Sequence, residues 1–173
     1  LIGCSPPPAE WPLFETVQVR RTVEGSRTLI LPSVYEEFLR GQIAYNNDNH
    51  SSAQRHFEAA LRGDPRSAYI MTWLAKAQLS RQRNDDARQS IDRALEQDEC
   101  HEFALCVAAE ILVAEGDSDG AMRSLQRAID CEPRQPEAYF QLAQILEQRG
   151  ATERAEAVFR SLLETQPRQG PVM

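Results

Sequence analysis

Apolar positions recur along this chain in two nested rhythms. The shorter one is helical. Leu105, Ala108, Ala109 and Leu112 fall at i, i+3, i+4 and i+7, and Ala121, Leu125, Ala128 and Ile129 follow at similar steps. The longer rhythm is a spacing of 34 residues that holds from Val34 onward without insertion or deletion. Ala53, Ala87, Ala121 and Ala155 form one column, and Phe57, Ile91, Leu125 and Phe159 a second. Ala60, Ala94, Ala128 and Leu162 form a third, and Leu61, Leu95, Ile129 and Leu163 a fourth. Gly41, Ala75, Ala109 and Ala143 supply one small residue per unit, and Pro65, Pro133 and Pro167 close three units, with Glu99 in that place in the second. The units are 34–67, 68–101, 102–135 and 136–169.

Each unit predicts two amphipathic helices with a polar break between them. The breaks are Asn46-Asn47-Asp48-Asn49, Arg83-Asn84-Asp85, Glu115-Gly116-Asp117-Ser118 and Arg149-Gly150-Ala151. Asn, Asp, Ser and Gly end one helix and cap the next, because their side chains or free backbones satisfy the unpaired groups at helix ends. Proline stops the second helix, since it lacks an N–H and clashes with the preceding turn. Small residues let paired helices approach, and the larger apolar column fills the space between them. A lone helix of this length is marginal in water. Neighbour contacts therefore stabilise each unit, and the array is a solenoid.

This helix–turn–helix unit, with its small, Ala, large apolar, Ala and Pro columns, resembles the tetratricopeptide repeat. The resemblance covers residues 34–169 and implies an all-α, right-handed superhelix of four repeats, preceded by an extended N-terminal arm. The aromatic that this family carries early in the first helix is matched by Met71, Leu105 and Tyr139, but Glu37 stands there in unit one. Arg40 likewise fills a usually apolar slot. Either the first helix, with Tyr35, Phe38, Leu39 and Ile43, is rotated, or the preceding segment covers it.

The opening Leu1-Ile2-Gly3-Cys4 resembles a bacterial lipobox, in which the Cys thiol receives diacylglycerol before the leader is cut away. Pro6-Pro7-Pro8 then reads as a tether within residues 1–12. The resemblance implies a lipid at Cys4 and an address at the bacterial outer membrane, on its periplasmic side or at the cell surface. Several acyl chains on one Cys anchor stably where one would be marginal. Residues 13–33 form the arm: Thr16–Val23 and Thr28–Leu31 are rich in β-branched residues, with Glu24-Gly25-Ser26-Arg27 as a turn. They read as a hairpin, as a strand for a partner's sheet edge, or as an extended cover over unit one, the last favoured because a lone hairpin is barely stable. Only residues 170–173 follow the fourth unit, so its last helix either caps itself through Glu156, Arg160 and Glu164 or leaves Leu163 for a partner or a second copy.

In tetratricopeptide arrays the first helix of each unit lines a concave groove that binds peptides or partner helices. Carried over unit by unit, that groove comprises Tyr35, Phe38, Gln42 and Tyr45, then Tyr69, Thr72, Lys76 and Leu79. Phe103, Cys106, Glu110 and Val113 follow, and last Glu137, Phe140, Gln144 and Glu147. Its first half is aromatic and its second acidic. The Lys, Arg and Asn ring with which chaperone-binding relatives clamp an acidic carboxylate is missing, so an apolar or mildly basic peptide is the expected occupant. Equally, Tyr35, Tyr69 and Phe103 recur at repeat spacing as packing residues would.

Charge and chemistry narrow the function further. Twenty-six acids against 19 bases give a net charge of -7, which offers no basic face for nucleic acid. Lys76 is the only lysine, a codon bias of GC-rich genomes. The three histidines, His50, His56 and His101, read as solvated surface or helix-start residues, and Cys100-His101 with Cys106 has the wrong spacing for haem or zinc. No nucleophile with a base, and no phosphate-cradling loop, is present in the pattern. Cys100, Cys106 and Cys131 read by default as small buried hydrophobes, and the pair for any disulfide is Cys100–Cys131. The expectation is a non-enzymatic scaffold without metal or cofactor, apart from the lipid on Cys4. Its layout resembles the pilotins and assembly factors of pili, secretins and envelope complexes. A structural subunit held through its arm and a cytosolic adaptor are the alternatives.

Overall fold

The polar breaks of the sequence become turns. The computed structural model describes residues 32–165. These form eight helices: α1 (Pro32–Asn46), α2 (His50–Gly63), α3 (Ala68–Ser80), α4 (Asn84–Gln97), α5 (Glu102–Ala114), α6 (Ser118–Cys131), α7 (Pro136–Gln148) and α8 (Thr152–Thr165). No strand occurs among the described residues. The Leu1-Ile2-Gly3-Cys4 site, the arm up to residue 31, Pro167 and residues 170–173 lie outside them. Helix α1 begins at Pro32, so the last two residues assigned to the arm are helical, with proline in the first turn where its missing N–H is no loss.

Helices pair within each unit, and the second helix of a unit packs on the first helix of the next. The alanine columns carry this packing. Ala53, Ala87, Ala121 and Ala155 are buried, as are Ala60, Ala94 and Ala128. Between them sit Phe57, Ile91 and Leu125, also buried. Gly41 holds the small-residue column in unit one because Phe57 is bulkier than Ile91 or Leu125: a Cβ at Gly41 would lie 2.5 Å from the Phe57 ring. In unit four Ala143 tolerates Phe159, whose ring is only half-buried and turns toward Phe140, 5.7 Å away between centroids.

Unit one is not rotated. Its buried Val34, Phe38 and Gly41 occupy the same columns as the buried Ala68, Thr72 and Ala75 of unit two. What differs is the row that would face a preceding unit. Ile70 and Leu74 fill that row in α3, whereas α1 has Glu36 and Arg40, paired at 2.7 Å. Arg40 also reaches Glu37 at 3.2 Å, and Glu37 accepts from His56 Nδ1 at 2.8 Å. Glu37 thus replaces an aromatic contact between α1 and α2 with an ion-pair network. The odd residues of the first unit thus give α1 a polar row where the later first helices are apolar.

The turns inside the units repeat as well. Asp48, Gln82, Gly116 and Gly150 are 34 residues apart and all adopt positive φ, from 56° to 86°. Each ends a helix with the same pair of backbone bonds. Asp117 N–H, for example, donates to the Leu112 carbonyl at 2.8 Å, and Gly116 N–H to that of Val113 at 3.0 Å. Side chains then cap several starts: Asn49 accepts from Ser52 N–H, Ser67 from Ile70, His101 from Ala104 and Asp117 from Gly120.

Cys100, in the α4–α5 connection, is disulfide-bonded to Cys131 at the end of α6, with Cα atoms 5.5 Å apart. The default reading of both as buried hydrophobes is replaced by a staple between the end of unit two and the end of α6 in unit three. A cross-link of this span stabilises by about 3–4 kcal/mol in the chain-entropy model.

Gln82 bears a left-handed backbone that glycine adopts at no steric cost, so Gln82→Gly is expected to stabilise the array by about 0.5–1 kcal/mol. Gly116→Ala, at the same place one unit later, is expected to destabilise it by a similar amount. Paired urea denaturation curves check both signs.

Candidate partner groove

The first helices α1, α3, α5 and α7 stand side by side, and the surface they share contains two joined depressions. One, of about 410 Å³, lies between α3, α5 and α7 and is lined by the aromatic Tyr69, Trp73 and Phe103 and by the acidic Glu102, Glu110 and Glu137. The second, of about 380 Å³, continues toward Val113, Gln144 and Gln148 and shares Glu110, Glu137 and Gln141 with the first. The helical period produces this. Tyr69, Trp73 and Lys76 are at i, i+4 and i+7 on α3, so they form one stripe.

The expected groove residues divide into three groups. Tyr69, Lys76, Phe103, Glu110 and Glu137 line the first depression, and Val113, Gln144 and Glu137 the second. Tyr35, Phe140 and Glu147 are exposed, while Gln42, Tyr45 and Leu79 are half-buried outside the depressions. Tyr45 spends its hydroxyl on Ser80 Oγ at 3.3 Å. Phe38, Thr72 and Cys106 are a correction: they are buried, at 8%, 0% and 1% exposure. Their column packs against the following unit. Thr72 Oγ1 turns back to the Ala68 carbonyl at 2.8 Å, and only the edge of Cys106 contributes to the floor. In the last unit the same column has no following unit among the described residues, and Phe140 is 53% exposed.

Trp73, Glu102 and Gln141 line the groove although sequence spacing did not mark them. Trp73 is the centre of its aromatic wall, with ring centroids 5.4 Å from Phe103, 6.5 Å from Tyr69, 5.5 Å from Tyr45 and 6.0 Å from Phe57. It joins rings from units one, two and three. Its signal was present as the aromatic four residues after Tyr69.

Electrostatically the groove is one-sided. Lys76 Nζ sits 3.6 Å from Glu110 and 5.7 Å over the Phe103 ring. Gln141 Nε2 donates to Glu137 at 3.0 Å and to Glu110 at 3.3 Å, and the Cys106 thiol donates to Glu102 at 3.3 Å. A furrow of about 390 Å³ between α4, α5 and α6 has an apolar floor of Leu95, Ala108 and Leu112 but a mixed rim, in which Arg88 is paired with Glu115.

The histidines are engaged structurally rather than solvated. His101 caps α5, His56 bonds Glu37, and His50 packs against Tyr45 with its Nδ1 buried and unpaired. Among the described residues no group of three His, Cys, Asp or Glu is arranged to hold a metal ion, and no helix is long and apolar enough to cross a membrane.

Burial first, and then Glu102 and the other two carboxylates, push the Cys106 thiol well above the ordinary thiol range. The folded chain therefore keeps a proton that the unfolded chain releases, so stability falls as pH rises through that range. Iodoacetamide at about pH 9 is expected to leave native Cys106 unmodified and to label it fully in urea, read as intact mass.

Two tetratricopeptide repeat family models match the sequence, one over residues 38–99 and the other over 112–172. No curated protein matches it. The fold is similar to that of TTC0263, a thermophilic tetratricopeptide protein in Thermus thermophilus, at 21% identity and a TM-score of 0.68, covering 77% of this chain and 74% of that one. MamA is similar at 19% identity and a TM-score of 0.63, with 76% and 77% covered. The first such domain of Spaghetti (RPAP3), solved bound to the HSP90 peptide SRMEEVD, is similar at 16% identity and 0.61, with 68% and 94% covered. With its repeat columns, its eight paired helices and both family matches in agreement, this chain belongs to the tetratricopeptide repeat family, whose arrays are protein–protein interaction scaffolds.

Proposed function

We propose that this chain is a non-enzymatic scaffold that holds a segment of another protein in its concave groove, and that a lipid on Cys4 tethers it to the bacterial outer membrane. There it recruits or helps to assemble an envelope, pilus or secretion complex. The observation that carries the groove reading is the aromatic wall of Tyr69, Trp73 and Phe103 beside an open depression, since such aromatics, once a partner excludes water from them, anchor it at an interface. Similar folds solved with bound peptides, SRMEEVD among them, support the same use of the surface. The tether reading rests on Leu1-Ile2-Gly3-Cys4 before three prolines. The Cys100–Cys131 disulfide supports it independently, because such bonds persist in oxidising compartments such as the periplasm and the cell surface. A tether would raise the local concentration of the groove at the membrane and turn modest affinity into effective capture.

A second reading, a structural subunit locked into an assembly, has its own observation. Leu163 is 70% exposed and Phe140 53%, on the last two described helices, where ion pairs like those of α1 are absent among the described residues.

Affinity purification from native membranes separates the two. Tyr69→Ala with Phe103→Ala is expected to release the co-purifying protein while Leu163→Glu retains it; the reverse pattern overturns the groove and favours the subunit. Intact mass of the extracted chain tests the tether. A chain that begins at Cys4 with added acyl mass, absent in Cys4→Ser, is expected, and an unacylated chain rejects the anchor.

A further inference from the structure

The chemistry of the groove selects among partners, and this step rests on the groove being the binding surface. The chain contains 18 arginines, yet none of those among the described residues lines either joined depression. Among the described residues Lys76 is the single cation there, set against Glu102, Glu110 and Glu137. Its ion pair is with Glu110. Glu102 accepts a hydrogen bond from the Cys106 thiol and Glu137 one from the Gln141 amide, so two carboxylates line the concave surface without a cation paired to them among the described residues. A site of this shape focuses negative potential. The raised pKa of the Cys106 thiol at its floor reports the same field, after the effect of burial.

The aromatic wall adds a second requirement. Aromatic faces attract cations, and guanidinium stacks on them while keeping its fork of donors free for a carboxylate. The chain supplies an internal instance: Lys76 lies over the Phe103 ring with its charge directed to Glu110. Glu102 and Glu137 line the same depression as those rings and have no such cation among the described residues.

We infer that the groove recognises a basic, apolar-anchored peptide segment, with an arginine or lysine seated between the Tyr69–Trp73–Phe103 wall and the Glu102 and Glu137 carboxylates. Acidic segments are repelled. The carboxylate-clamping groove of a chaperone-type array would show the opposite preference.

A display library of random dodecapeptides, panned on the purified chain, tests this without knowledge of the natural partner. Enrichment of arginine or lysine next to aliphatic or aromatic residues is expected. The best peptide, labelled with fluorescein, is then titrated by anisotropy at low and high salt. Glu102→Gln with Glu137→Gln is expected to weaken it about tenfold and to flatten its salt dependence. Lys76→Gln removes the competing cation and is expected to tighten the same peptide several-fold, a gain that a misfolded variant would not give. Enrichment of acidic peptides, or equal affinity in the double glutamine variant, overturns the charge inference. In that case loss of binding in Phe103→Ala would leave the groove standing. Retention in Phe103→Ala, or no enrichment at all, overturns both.

Discussion

The close approach of paired helices through alanine is the constraint on which everything else rests. Ala53, Ala87, Ala121 and Ala155 are buried at the same point of each unit, and no larger residue would leave the facing helix in place. Once that distance is set, the neighbouring column must hold a residue that fills what remains, and Phe57, Ile91 and Leu125 do so. The exchange of Ala for Gly41 opposite Phe57 shows the volume being conserved across the pair rather than at each position. Because every unit meets only its neighbours, the same solution repeats, and the first helices line up into a continuous wall.

The first and last described units handle exposure differently. At the front, Glu36, Glu37 and Arg40 make a polar face where interior units present Ile70, Met71 and Leu74. At the back, Phe140 and Leu163 keep the apolar identity of their columns and stay largely exposed, Phe140 being covered in part by Phe159. Departures from the repeat pattern are thus informative by position. A polar residue in an apolar column gives its helix a polar row, and an apolar residue left largely exposed marks a surface that another element can use.

Along the groove, structural and functional demands meet in Trp73. Its ring packs against rings of the first and third units and also forms the middle of the open wall, so the surface that would touch a partner is held by the same contacts that join the repeats. The acidic side has no such double duty. Glu102 and Glu137 do not hold helices together, and their charge shapes the chemistry of the depression instead.

The 34-residue columns by themselves determined the fold: eight helices, their pairing and their turns follow from spacing, small residues and breaks that local physics reads in the same way in all four units. The flaw in unit one was also visible, as Glu37 and Arg40, though its meaning as a polar row needed the neighbouring rows. Only the tertiary structure decided which stripe of each first helix opens to solvent. Positions 72 and 73 are consecutive and so lie about 100° apart around the helix. The packing between units turned Thr72 fully inward and left Trp73 half-buried with one side on the depression, and it buried Phe38 and Cys106 with Thr72. Periodicity within one helix carries no information on that angle. The sequence named Cys100–Cys131 as the pair for any disulfide, and the pairing of α5 with α6 brings the connection before α5 and the end of α6, 31 residues apart, to 5.5 Å.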